Sequence, residues 1–366
     1  DLLARDLGLD PYHFRRLNAL REGDVSPTGL RWENIRALEV LEEAARRGHW
    51  GEPLPGPFRG RGIALTERSV GLGGSAALVM LQRDGSATVV TGATDPGTGS
   101  RTVLRQIAAR ELQLPLARVG LGEGDTSLAP YDNGSGSSRV THVAGQAVRL
   151  AAQDALRQAR EMAAARLGVE PAELTYEDGV FRAGGGSLTL AEVLRAGGRQ
   201  GNVVVGRGSY VAEKGSHTCF CAQVAQVQVD PETGQVRVER LVTVNDIGVV
   251  LHPQAASGQA EGAVVQGLGF ALQEELPRPG GRPQVLGLAD YKLPTAPDAP
   301  EVEVHLLEGG LGPGPYGAKS IGEQPIAATA PAVVNAVRAA LGIDLWELPV
   351  TPERVRRAWR EKQGEV

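Results

Sequence analysis

Apolar positions along the chain change period several times, and each change marks an element. Leu2, Leu3, Leu7 and Leu9 lead up to Pro11, and Phe14, Leu17 and Leu20 continue an apolar helical face that Gly23 stops. A second helix is predicted over about 34–47. Alternating Pro and Gly over 51–57 exclude helix and strand alike and read as a stiff linker. Runs at 76–81 and 87–91 flank Asp84-Gly85, a hairpin signal. A helix at 103–112, a strand at 118–122 and a long amphipathic helix at 140–166 complete a first α/β lobe, placed at 58–205. Two β-rich runs, 219–229 and 235–244, are joined by the turn Asp230-Pro231-Glu232-Thr233-Gly234 and open a second lobe at 206–366. It continues with helices at 253–275 and 325–341, a strand at 301–307 between them, and a closing helix at 352–362. Strands followed by helices in both lobes predict an α+β fold with mixed α/β layers, preceded by a helical connector over 1–57.

Composition narrows the function. A chain of 366 residues, 42% hydrophobic, is long enough for two cores or one large two-lobed unit, and no apolar run nears the roughly 20 residues that span a membrane. A net charge of −5 with acids and bases interspersed argues against a nucleic-acid or anionic-membrane partner. The opening Asp1-Leu2-Leu3-Ala4-Arg5-Asp6 lacks the basic-then-apolar order of a secretory signal, so a cytoplasmic site is expected, with the periplasm as the alternative. The missing initiator Met reads as a processed, trimmed or excised chain. Cys219 and Cys221, the only cysteines, fall on one face of a strand and are expected as core thiols; they are too few for an iron–sulfur or zinc site. None of the six histidines forms an i, i+4 pair, so no metal ligands are expected in this chain.

Four stretches carry candidate chemistry. Gly317-Ala318-Lys319-Ser320-Ile321-Gly322-Glu323-Gln324-Pro325 sets one carboxylate in a tight turn before a long helix, where Glu323 either caps the helix or is tuned by its positive end. Gly92-Ala93-Thr94-Asp95-Pro96-Gly97-Thr98-Gly99-Ser100 leads into another helix; it is an anion-binding loop or a glycine turn with Ser100 as N-cap. It fails as a dinucleotide fingerprint, because the third glycine is missing. Asn133-Gly134-Ser135-Gly136-Ser137-Ser138 offers backbone N–H groups and hydroxyls as an anion nest. Gln259 and Gln266 lie nearly on one helical face among Gly262, Gly267 and Gly269, and glycines so dense in a helix mean close approach of another element.

The pattern Lys319-x-x-Gly322-Glu323-x-Pro325 resembles the active-site loop of the xanthine oxidase/aldehyde oxidoreductase family of molybdenum hydroxylases. The resemblance continues in family order through 94–113, 122–156, 224–276 and 288–294, and 7–24 is similar to the family's link between two molybdenum-binding domains. It implies a two-lobed C-terminal molybdopterin-binding domain of the large subunit, holding a molybdenum–molybdopterin cofactor in a dinucleotide form. It implies Glu323 as the general base that hydroxylates an aldehyde or N-heterocycle with water as oxygen source. Cofactor contacts follow at Gly97, Thr98, Gly99, Gly136, Ser137, Ser138 and Gln259, with Thr98 standing where the family usually has Gln. Gln266 is read as structural and Lys319 as a salt-bridge residue. The resemblance also places 2Fe-2S and FAD centres on partner domains or subunits, and an N-terminal half with an Arg-Gly-Phe-Gly-type loop outside this chain. The family's aromatic pocket segment falls near Glu67-Arg68-Ser69, where this sequence has charges. The chain alone is therefore expected to be folded, molybdenum-free and inactive. The rival reading, a non-catalytic molybdopterin-binding or assembly module, shares the glycine-rich motifs but has no need of Glu323.

Overall fold

The computed structural model describes every residue except 123, 200, 202, 213–217 and 366, so His217 lies outside the described residues. The helices are α1 (Leu2–Asp6), α2 (Pro11–Asn18), α3 (Ala37–Arg47), α4 (Ser100–Glu111), α5 (Val140–Leu167), α6 (Leu190–Arg199), α7 (Pro253–Leu272), α8 (Gln324–Leu341) and α9 (Pro352–Gln363). The strands are β1 (Arg59–Ser69), β2 (Gly73–Leu81), β3 (Ala87–Thr91), β4 (Val119–Leu121), β5 (Thr175–Glu177), β6 (Val180–Ala183), β7 (Gly186–Thr189), β8 (Val204–Ala212), β9 (Thr218–Val229), β10 (Val236–Asp246) and β11 (Glu301–Leu307). Helices and sheets together make the α+β fold that the pattern predicts.

Two compact units divide the chain: Asp1–Ser69, Ser216–Gly310 and Ile321–Val366 form the first, Val70–Gly215 and Leu311–Ser320 the second. This division differs from the expected consecutive lobes. The reason is β1, which pairs along its whole length with β9 and so joins residues 58–69 and the N-terminal helices to the unit built from the C-terminal strands.

In the first unit the sheet order is β1-β9-β10-β11, antiparallel except for β11, which runs parallel to β10. Both faces are covered. On one, α8 brings Val333, Ala336 and Val337 against Ala225, Val227 and Leu241; on the other, α3 brings Val40, Leu41 and Ala44 against Ile63, Phe220 and Val224. Double coverage explains why β9 is buried almost without alternation. The second unit repeats the plan: sheet order β4-β3-β2-β8, parallel only at β3–β4, with α5 packed on β8 and β2. In each unit a hairpin (β9–β10, β2–β3) is followed by a helix, a strand parallel to its second arm, and a long alanine-rich helix. The fourth strand comes from opposite ends of the order: β1 precedes its hairpin, β8 follows.

These two outer strands share one device. Gly60-Arg61-Gly62 and Gly206-Arg207-Gly208 sit directly under the long helices. A Cβ on Gly62 would lie 2.1 Å from the Ala332 oxygen of α8, and one on Gly208 would lie 2.1 Å from the Ala147 oxygen of α5. Only glycine lets helix backbone touch strand backbone here. The same glycines and charges hid β1 from the hydrophobic pattern.

The N-terminal helices also depart from expectation. The apolar face predicted across 1–22 is broken into α1 and α2, since Gly8 adopts a left-handed φ of 66° and Pro11 starts α2 afresh, with Asp10 accepting the N–H of His13. Leu3, Leu7 and Leu17 stay more than half exposed. Among the described residues no helix is long and apolar enough to cross a membrane.

Candidate catalytic and cofactor site

Glu323 belongs to the first unit and stands at the N-cap position of α8, yet its side chain makes no cap hydrogen bond. Gln324 replaces it: its Oε1 accepts the backbone N–H groups of Gly322 and Glu323, each at 3.2 Å, while the side chain is fully buried. The turn is thus closed from inside, and the Glu323 carboxylate is released for another use. Arg68, near the end of β1, takes it: Nε and Nη2 donate to Oε2 at 3.1 and 2.9 Å, and both side chains are 43% exposed. The capping-Glu alternative is therefore set aside on geometry.

Beneath the turn lies a buried polar network absent from the sequence reading. Gln223 of β9 donates to the Pro325 carbonyl at 2.8 Å and to Thr243 Oγ1 at 3.2 Å, and accepts from Thr329 Oγ1 at 2.9 Å. These groups are fully buried, so each satisfied bond matters more than at a surface. The network ties the first turn of α8 to the centre of the sheet. Gln223, flanked by Ala222 and Val224 in the apolar first part of β9, was the sequence signal that could have revealed it. Beside it Cys221 is completely buried, and burial pushes its thiol up to about 12, so it is a core thiol.

The second unit holds both glycine-rich loops. Ser135 Oγ donates to the Thr94 carbonyl, and Thr94 Oγ1 to Ser135 Oγ at 3.2 Å, so the loops 92–100 and 133–138 meet. In the first loop Gly99, in a left-handed conformation, is the N-cap of α4; Ser100 is not, and its Oγ donates to the Thr94 carbonyl at 3.1 Å. Asp95 caps instead, accepting the N–H groups of Gly97, Gly99 and Arg101 at 3.0–3.1 Å. Burial opposes the Asp95 charge, but these backbone donors outweigh it and hold the carboxyl below its usual range. The helix-start donors expected to serve an anion are thus engaged by an internal one. Thr98 stays exposed at the loop tip.

The second loop is the stronger cradle. Ser137 and Ser138 take φ of 52° and 53°, a strained conformation for residues with a Cβ, next to Gly134 at 88°. Arg139, 3% exposed, fixes this shape: it pairs with Asp132 at 3.1 Å and donates to the carbonyls of Leu72, Gly74 and Gly134 at 2.7–2.9 Å. A Cβ on Gly71 would meet the Ser137 oxygen at 2.5 Å, so the loop is pressed against a glycine floor. A cavity of about 440 Å³ opens there, lined by Leu72, Gly73, Ser135, Gly136, Ser137 and Arg139. A Cβ on Gly136 would meet open space, and Asp132 Oδ2 is buried with no partner among the described residues. Arg139 was missed by the sequence reading because an Arg before a helix reads as a solvated charge.

Tyr316 anchors the segment that leads to Glu323. Despite a φ of 59°, it donates to Glu111 at 2.8 Å and receives the Arg110 guanidinium over its ring at 3.9 Å; burial first, then the Glu111 bond, push its phenol well above the ordinary range. Lys319 is buried and packs against Gly312.

Gln259 is half-buried on α7 in the first unit, whereas Gln266, expected as structural, is exposed. Close helix approach occurs at Gly267, where a Cβ would meet Thr329 of α8 at 2.5 Å, but not at Gly258 or Gly262, which face open space. The sequence-predicted residues thus fall into a loop cluster in one unit and Glu323 with Gln259 in the other.

Residues 36–300 match the molybdopterin cofactor-binding domain family. Over 97% of its length the chain is 33% identical to the aldehyde oxidoreductase molybdenum-binding subunit PaoC of Escherichia coli, covering 49% of that protein. It is 32% identical, over 97% of the chain and 48% of the relative, to the 6-hydroxypseudooxynicotine dehydrogenase complex subunit gamma of Paenarthrobacter nicotinovorans. The crystal structure of quinoline 2-oxidoreductase from Pseudomonas putida 86 superimposes with a TM-score of 0.87 at 26% identity, over 98% of this chain and 50% of that one. The chain spans about half the length of the curated relatives it matches.

Proposed function

The chain belongs to the molybdopterin cofactor-binding domain family of the molybdenum hydroxylases, and on that premise we propose that it is the base-carrying, cofactor-binding part of an enzyme that oxidises an aldehyde or an N-heterocycle with water as oxygen source. The observation that carries this reading is Glu323: a carboxylate at a helix start, excused from capping by Gln324 and held by Arg68 instead. A binding or assembly module would need the loops but not this carboxylate.

The residues present fit a molybdopterin. Gly136 leaves open space beside the cavity, Ser137 and Ser138 hold the conformation of an anion nest, and Arg139 keeps it rigid. With Thr98, exposed at the tip of the neighbouring loop between Gly97 and Gly99, they are the residues that would hold the cofactor in a dinucleotide form; Gln259 is proposed as a further contact on the resemblance alone. Bound, the molybdenum cofactor supplies oxygen transfer and two-electron redox chemistry. Glu323 accepts the proton that water gives up as its oxygen is transferred, and the buried Gln223 network keeps the carboxylate in place while it does so. 2Fe-2S and FAD centres on partner domains or subunits would take up the electrons.

The test is to produce the chain alone and as part of a complete large subunit with its partner subunits, and to measure molybdenum content and aldehyde oxidation. Metal and turnover should appear in the complex and be absent from the chain alone. Stoichiometric molybdenum in a complex that oxidises neither an aldehyde nor an N-heterocycle would favour the binding-module reading.

A further inference from the structure

The partner of Glu323 has chemistry of its own. Arg68 lies near the end of an eleven-residue strand whose register is fixed against β9, with Arg68 opposite the buried Cys219. Its neighbour Glu67 cannot compete for it: strand alternation sends Glu67 to the other face, where it accepts from Ser69 Oγ at 3.2 Å and from Thr218. Both donors that Arg68 commits go to a single oxygen, Oε2, and its remaining N–H groups meet no acceptor among the described residues. A half-exposed pair of this kind contributes little to folding. Its consequence is chemical.

While Glu323 is ionised, the pair is neutral as a whole. Once Glu323 takes up a proton, the charge of Arg68 is no longer compensated, and its spare donors stand beside the reacting group. A carbonyl substrate develops negative charge on its oxygen at that same moment, because oxygen adds to its carbon as the proton leaves. An N-heterocycle instead places the charge on a ring nitrogen, which a planar guanidinium fork suits less well than an oxyanion. Overall, an aldehyde and water yield a carboxylic acid, two protons and two electrons: a C–O bond forms and the aldehyde C–H bond breaks, Glu323 receives the proton released by water, and the bound molybdenum cofactor would take the other proton together with the electron pair.

Building on the functional reading above, we propose that Arg68 is a positioning residue for Glu323 and a specificity-determining residue that commits the site to aldehydes over N-heterocycles.

The test uses the complete, molybdenum-loaded enzyme as wild type, Arg68→Lys and Arg68→Met, with benzaldehyde and quinoline as probes. Wild type should favour benzaldehyde. Arg68→Met should lower kcat for benzaldehyde about 10–100-fold with little change in KM, the range expected for one hydrogen bond to a charged group. Arg68→Lys should recover part of the loss, and added guanidinium should partly rescue Arg68→Met. In the chain alone, nitrogen-15 NMR should show the Arg68 Nε–H protected from exchange, and Glu323→Gln should remove the protection. Loss of kcat equal for both probes, or a wild type that prefers quinoline, overturns the specificity role; an unprotected Nε–H overturns the positioning role. A loaded wild type that oxidises neither probe overturns the functional reading itself, which the NMR result in the isolated chain does not depend on.

Discussion

The guanidinium of Arg139 donates to the carboxylate of Asp132 at 3.1 Å with both side chains withdrawn from water. Deleting one member of such a pair strands the other as a buried charge, at about 3–5 kcal/mol. Arg139→Met should therefore lower the stability of the chain by about that amount in urea titration. Because Arg139 also donates to the carbonyls of Leu72, Gly74 and Gly134 around the cavity, molybdenum retention in the complete enzyme should fall with it. Arg139→Met at wild-type stability would show that the loop holds its shape by other means.

Glu323→Gln keeps the size of the side chain and removes the base. Losing a positioned general base costs about 10²–10⁴ in rate. In the complete enzyme turnover should drop into that range, with molybdenum content near that of wild type, since none of the loop residues is touched. A variant within a few-fold of wild type would dismiss Glu323 from the role.

Gly62→Ala and Gly208→Ala should each destabilise the chain, by about 1–3 kcal/mol or more, because the added methyl collides with helix backbone rather than with a side chain that can turn away. Ala substitution at Gly136, where a Cβ meets nothing, should leave the melting temperature unchanged and serves as the control.

Acid should weaken the first unit through Glu43. The hydrogen bond from Arg46 does most to lower its carboxyl, burial works the other way, and Arg47 adds to the lowering, giving about 2 against an ordinary 4.5. A depressed folded value means stability that is fully present above about 4.5 and lost as pH falls towards 2. Glu43→Gln should flatten the pH dependence of stability in that window and leave it alone near neutrality.

What the sequence determined by itself was local or order-based. The strand at 301–307, the hairpin arms flanking Asp84-Gly85, and the helices expected at 140–166 and 352–362, each one residue longer in the structure, follow from period and turn chemistry, which depend on neighbouring residues. The glycine-rich loops and the Glu323 turn were legible as motifs in a fixed order. Tertiary structure alone decided what those motifs touch. β1 is a strand because β9 pairs with it and α8 needs its glycines, facts about residues far away in the chain. Asp95, rather than a ligand, fills the start of α4, and Gln324 rather than Glu323 closes the turn at α8, because hydrogen-bond geometry in three dimensions chooses among donors that sequence treats alike. What Arg68, Arg139 and Gln223 do was not legible for the same reason: a charge or an amide becomes functional only when folding removes water from around it or sets a partner within 3 Å, and neither is written in a residue's immediate neighbours.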